Sequence, residues 1–193
     1  MQSAEIGLFS MSVDGRTFNL IPNLKNVAKI ADKVRILLIY EMIHSPKVPD
    51  WYRLDIARDI ILACSDSPDI DKHLIRSCRQ MPYVNKHKIS INDQVMLAAA
   101  LMRHGVAGVN RDKATVNGKT PKAATEFDVN KIVSYATVVL KMSTSDALNL
   151  TMSEFCYRWA AKYPKETKQS DAPSMDAHKR VMKALMEKNK NGK

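Results

Sequence analysis

From Ile6 to Val13 apolar and polar residues alternate weakly, Asp14-Gly15 comes next, and the alternation resumes from Thr17 to Ile21. A period of two on either side of a dipeptide favoured in two-residue turns predicts a β-hairpin within residues 1–21, packed on a helical domain. The period then changes. Val27, Ile30, Ala31, Val34, Leu37 and Leu38 recur at three- and four-residue steps, which predicts an amphipathic helix with Asp32 as its point of interruption. It must end before Ser45-Pro46, because the residue preceding proline is driven out of the helical region. A second helix is expected from Asp50 to Cys64, with Leu54, Ala57, Ile61 and Cys64 on one face. Ser67-Pro68 sets a capping residue ahead of a proline at the first helical position, which predicts a helix reaching Cys78 and closed by Met81-Pro82.

The stretch from Ile91 to His104 is so apolar between Val95 and Met102 that it reads as a central helix, with Gly105 as its terminator. Residues 106–126 lack a sustained period and contain Asn117-Gly118, the mark of a long loop or small hairpin. Asp128 then caps a helix carrying Val129, Ile132, Val133, Ala136, Val139 and Leu140. Thr151-Met-Ser-Glu154 is a capping-box pattern. It opens a helix with Met152, Phe155, Cys156, Trp159, Ala160 and Tyr163 on one face, stopped by Pro164. Beyond it lie a polar, lysine-rich linker and a last amphipathic stretch from Met175 to Met186. The fold class expected is mainly α: a hairpin over 1–21, a helical domain over 22–163, and a basic linker with a short tail helix over 164–193. The segment from Lys165 to Lys193 is expected to be poorly ordered and the first part cut by protease.

A chain of 193 residues, 45% apolar and 26% charged, suits a single core, and eleven Met against twelve aromatics make that core largely aliphatic. Three cysteines without a CxxC spacing argue against a disulfide framework and for a reducing compartment. Met1 to Ser10 shows no positive region ahead of an apolar run, and no uncharged apolar stretch is long enough for a membrane span. The net charge of +10 admits nucleic acid, anionic lipid or acidic protein as partners. Half of it lies from Lys162 to Lys193, where nine basic residues face four acidic ones, so the body is only mildly basic.

The chemistry of catalysis is hard to find. Six scattered glycines form no phosphate loop, nothing resembles a nucleophile elbow, and Cys156 has no evident partner base. Cys64, His73, Cys78 and His87 make the best metal-ligand constellation, but their spacing matches no known site and the cysteines fall on apolar faces. His44 and His104 fall at predicted helix C-termini, where the helix dipole favours a cation. No enzyme activity, cofactor or metal is expected. For nucleic acid, Arg103, Arg111, Lys113, Lys119 and Lys122 in the long loop and the lysine-rich tail are the available elements, without interleaved aromatics. A helix-turn-helix over Asp128 to Lys162 would offer chiefly Arg158 and Lys162, with Trp159 on the apolar face. A solvated basic face is the simpler reading.

The combination of Glu5-Ile-Gly7, Arg16-Thr-Phe18 and Pro22-Asn-Leu-Lys-Asn26, of Leu101-Met-Arg-His-Gly-Val-Ala-Gly108, and of Leu150-Thr-Met-Ser-Glu-Phe155 resembles a family of tailed-bacteriophage proteins similar to tail assembly chaperones. None of these blocks is catalytic, and the match spans the chain to Pro164. The resemblance implies a protein of the host cytoplasm that binds the tape measure protein, keeps it soluble, and helps recruit tail tube protein. Self-association is left open, nucleic acid is less favoured, and no membrane is implied. Met152, Phe155 and Trp159 are the first contact candidates for such a client, with the basic loop at Arg111 and Lys113 as the alternative surface. The competing readings are a structural virion protein of tail or connector, and a small nucleic-acid-binding regulator.

Overall fold

The computed structural model describes residues 7–75, 89–108 and 125–164. The chain divides into two units, Met1–Lys162 and Tyr163–Lys193. Nearly all described residues belong to the first.

The hairpin forms as expected. Strands β1 (Phe9–Val13) and β2 (Arg16–Leu20) pair antiparallel with Phe9 opposite Leu20 and Val13 opposite Arg16. Asp14 and Gly15 both take positive φ, 49° and 73°, the mirror-image turn whose twist matches the strands. The pleat sorts the side chains. Phe18 and Leu20 face inward and are buried, while Ser10 with Asn19 and Ser12 with Thr17 form cross-strand hydrogen bonds at 3.0 Å on the other face. β2 is then tied to the end of a helix far along the chain. Ile21 N donates to Cys64 O at 2.9 Å, and the Asn19 side chain donates to Asp66 at 2.9 Å.

Helix α1 (Leu24–Ile30) is capped by Asn23, whose side chain accepts from Asn26 N, and α2 (Arg35–His44) comes after a break. Asp32 makes that break: its Oδ1 accepts from Val34 N at 3.0 Å and Arg35 N at 2.9 Å. These backbone donors, Arg35 N foremost, hold the Asp32 carboxyl below its ordinary pKa. The break resets the helical phase. The inner face of α2 is Ile36, Ile39 and Ile43, whereas Val34 and Leu38, expected on the core face, are 58% and 53% exposed. α2 ends before Ser45-Pro46, as the proline requires.

Helix α3 (Asp50–Cys64) has the predicted bounds and buries Leu54, Ala57, Ile60, Ile61 and Cys64. It packs against α4 (Ile91–Met102), which contributes Ala98, Leu101 and Met102. Full burial of side chains such as Ile60 and Ile61 stabilises by about 1.5–3 kcal/mol each. The helix expected from Ser67 to Cys78 is instead a six-residue 3-10 turn, Pro68–His73, leaving helical geometry at Leu74. Ser67 does cap it, accepting from Asp69 N. Tighter winding places Ile70 and Leu74 in the core while Asp71 accepts two hydrogen bonds from the Arg58 guanidinium, at 2.7 and 2.8 Å. The loop expected up to Ser90 and the Met81-Pro82 stop lie mostly outside the described residues.

Past α4 the backbone widens into a π turn, Arg103–Ala107, closed by Gly108 at φ 70°, whose N–H donates to Arg103 O at 2.9 Å. Gly105 therefore does not terminate the helix; it lies inside the π turn, close against Val27 and Pro22. Helix α5 (Val129–Val138) is capped by Asp128, as predicted. A short helix α6 (Thr144–Asn149), which sequence periodicity did not suggest, is capped by Ser143, whose Oγ accepts from Asp146 N and donates to Asp146 Oδ2. α7 (Met152–Lys162) ends ahead of Pro164. A smaller apolar cluster of Ala136, Ala147, Leu150 and Phe155 holds α5, α6 and α7 together. Among the described residues no helix is long and apolar enough to cross a membrane.

Candidate functional site

Three segments distant in sequence meet at one place: Pro22–Val27, Arg103–Gly108 and Leu150–Cys156. Leu24 N donates to Leu150 O at 2.8 Å, and Asn23 pairs with Thr151 as an isolated antiparallel bridge. Thr151 and Glu154 complete the expected capping box, with Glu154 N donating to Thr151 Oγ1 at 3.1 Å and Thr151 N to Glu154 Oε2 at 2.9 Å. The π turn fits against both. A Cβ on Gly105 would lie 2.7 Å from Val27 Cγ2 and 3.1 Å from Pro22 O, so only glycine allows this approach. A Cβ on Gly108 would lie 2.9 Å from Cys156 Sγ.

The junction is polar at its centre. Asn23, Thr151 and Ser153 are buried, and His104 Nδ1 is hydrogen-bonded to Ser153 Oγ at 2.9 Å with the Phe9 ring edge-on to the imidazole. A serine bonded to a histidine is half of a nucleophilic constellation. Here Ser153 is 0% exposed, so no substrate reaches its Oγ, and among the described residues no carboxylate orients His104. The pair works instead as a clamp joining the turn after α4 to α7.

Burial, with a smaller contribution from Arg103, holds His104 below its ordinary pKa of 6.5. Because the folded value is the lower one, the clamp's stability is fully present above the unfolded pKa and is lost as pH falls through the folded one. Thermal unfolding followed from about pH 7 to about pH 5 is therefore expected to show a steeper loss for the wild type than for His104→Asn, whose amide keeps a partner for Ser153 without titrating. Parallel curves would show that His104 is not the group responsible.

The other predicted site residues are dispersed. Phe155 is 8% exposed and belongs to the small core; Met152, Cys156 and Trp159 are half-buried, and Ala160 is exposed. The face expected on α7 is thus narrower than its periodicity, and Ser153 takes part of the inward side. Trp159 bridges Phe155 and Tyr135 with ring centroids 5.6 and 5.9 Å apart, an aromatic row running from core to surface. Arg111 and Lys113 lie outside the described residues, as do Arg103's other basic companions Lys119 and Lys122. In the suggested helix-turn-helix region, α6 intervenes between α5 and α7, and the Lys162 ammonium is bonded to Val139 O.

Of the metal-ligand constellation, Cys64 is buried in the main core with its thiol pushed up to about 12 by desolvation, and His73 Nδ1 lies 3.4 Å from Asp14. Cys78 and His87 are outside the described residues. Burial also pushes the Cys156 thiol up. His44 sits in the last turn of α2, donating Nδ1–H to Tyr40 O at 2.8 Å.

Beside the junction opens a shallow cleft of about 550 Å³ between the Leu140–Ser143 turn, α6 and α7. Lys141 stands on its rim in the left-handed region, φ 59°, where α5 ends with Met142 N donating to Ala136 O at 3.3 Å. This left-handed conformation favours glycine, and a side chain there costs about 1 kcal/mol. Lys141 and Arg158 form no ion pair among the described residues, while Asp146 accepts from the Ser143 hydroxyl and Glu154 from Thr151 N. The cleft escaped sequence reasoning because its walls come from a turn and two helices of different phase. A lysine at a helix end was its only local signal.

No curated protein and no solved structure matches this chain. A family match covers residues 19–179, and so all three segments of the junction. The chain belongs to the family described as a family of unknown function, DUF6246.

Proposed function

We propose that this chain is a phage tail assembly chaperone that binds the tape measure protein and helps recruit tail tube subunits in the host cytoplasm. What supports the reading is the convergence of the resemblance-bearing blocks. Pro22–Asn26, Leu101–Gly108 and Leu150–Phe155 are far apart in sequence yet form one hydrogen-bonded junction, so the resemblance is to a folded unit and not to three separate patches. A helical body of this kind needs no bond-making chemistry to shield a client, only surface for it. Trp51, Tyr52, Met96 and Val138 are large apolar side chains that the fold leaves exposed.

Co-expression with the tape measure protein tests the reading. The client is expected in the soluble fraction and in a complex recovered through this chain. A client that stays insoluble, with no complex recovered, counts against the chaperone and leaves the virion-component and nucleic-acid readings.

A further inference from the structure

We infer that the outer edge of β1 pairs with β1 of a second copy of this chain, antiparallel about Met11. The hairpin has one closed edge and one open edge. On the closed edge Asn19 turns its backbone away from β1, its N–H donating to Asp66 Oδ1 at 3.2 Å and its C=O accepting from Asp66 N at 3.0 Å. In the hairpin register Asn19 lies opposite Ser10. Residues opposite one another in an antiparallel pair turn their backbone groups either toward each other or both away. The Ser10 N–H and C=O therefore point outward from β1, and by alternation so do those of Ser12. Among the described residues these backbone groups meet no partner. The edge also lacks the features that keep edges apart: Phe9–Val13 holds no charge and no proline, and its register with β2 runs without a bulge.

What such an edge fits is another extended strand, whose donors and acceptors alternate at the same spacing. A helical client has its own backbone groups bonded internally and does not compete for it. β1 matches itself. With Met11 opposite Met11 across a two-fold axis, Ser10 of one copy stands opposite Ser12 of the other, and both residues present outward N–H and C=O groups, so they exchange hydrogen bonds in both directions. Phe9 then lies opposite Val13. Phe9, Met11 and Val13 are partly buried against the core of their own copy, so the apolar row of one copy continues into that of the other, while the serines share the exposed face. A strand of five residues gives a contact below the size of a standard interface, and the association is expected to be weak, with a Kd of about 10–100 μM.

Sedimentation velocity of the full chain over a concentration series tests the pairing, and the client-binding reading does not depend on its outcome. The wild type is expected to pass from monomer to dimer as concentration rises. Ser10→Lys combined with Ser12→Lys sets lysine opposite lysine in both serine pairs and is expected to weaken dimerisation about ten-fold. Ser10→Lys combined with Ser12→Glu sets lysine opposite glutamate and is expected to dimerise at least as tightly as the wild type. Both positions are exposed and face the neutral Asn19 and Thr17 within the hairpin, so the thermal midpoints of both variants are expected to stay within a few degrees of the wild type. A wild type that stays monomeric throughout overturns the assignment, as does a lysine–lysine variant that dimerises like the wild type. So does a lysine–glutamate variant that associates no more tightly than the lysine–lysine one, the result expected of pairing in a parallel direction or through another surface.

Discussion

Phe155→Ala is expected to lower folding stability by about 3–5 kcal/mol, the usual cost of truncating a buried phenylalanine. The side chain is 8% exposed and packs with Ala136, Ala147 and Leu150, the residues that hold α5, α6 and α7 together. Ala136 and Ala147 are too small to fill the space, so a cavity remains unless Met142 or Met152 swings into it. For a chain of this length the loss corresponds to a fall of roughly 6–20 °C in the thermal midpoint, readable by far-ultraviolet circular dichroism. The experiment also decides the role of the α7 stripe. A midpoint that stays within a few degrees while client binding weakens would make Phe155 a contact residue, as its spacing with Met152 and Trp159 first suggested.

Gly105→Ala is the second large effect. The added methyl would meet Val27 Cγ2 at 2.7 Å and Pro22 O at 3.1 Å, both on segments anchored by the Asn23 cap and the Leu24–Leu150 hydrogen bond. Overpacking of this kind costs about 1–3 kcal/mol. Because the nearest atom is a Val27 methyl, much of the cost belongs to that pair. Val27→Ala is destabilising alone, since Val27 is fully buried, yet in the Gly105→Ala background it removes the 2.7 Å contact and leaves the looser ones to Pro22 at 3.1 Å. A double-mutant cycle is expected to show a coupling of about 0.5 kcal/mol or more, with the double variant more stable than the sum of the single losses. Strict additivity would mean that the π turn moves away from α1 freely.

Signals confined to a few residues were legible in the sequence. Asp14-Gly15 specifies its turn through two positive φ values, and Asp128, Thr151 and Glu154 specify helix starts through side-chain acceptors. α3 was readable at both ends because its apolar spacing is unbroken. Where a break intervenes, periodicity misleads: the Asp32 turn rotates α2, so Ile36, Ile39 and Ile43 replace Val34 and Leu38 on the inner face. Gly105 looked like a stop because glycine commonly ends helices, yet its role depends on Pro22 and Val27, some eighty residues away. The His104–Ser153 clamp and the cleft at Lys141 were illegible for the same reason. Each is made by tertiary approach, which leaves no period in the chain.

Binding of a helical protein client in preference to nucleic acid is tested most directly by affinity. The purified full chain is titrated with the tape measure protein and with single- and double-stranded DNA and RNA over a range of salt concentrations. A complex with the tape measure protein is expected to persist at physiological ionic strength, and nucleic-acid binding to be weak and to disappear as salt rises. Tight, steeply salt-dependent binding to DNA or RNA, with no complex formed by the tape measure protein, would contradict a client-binding role.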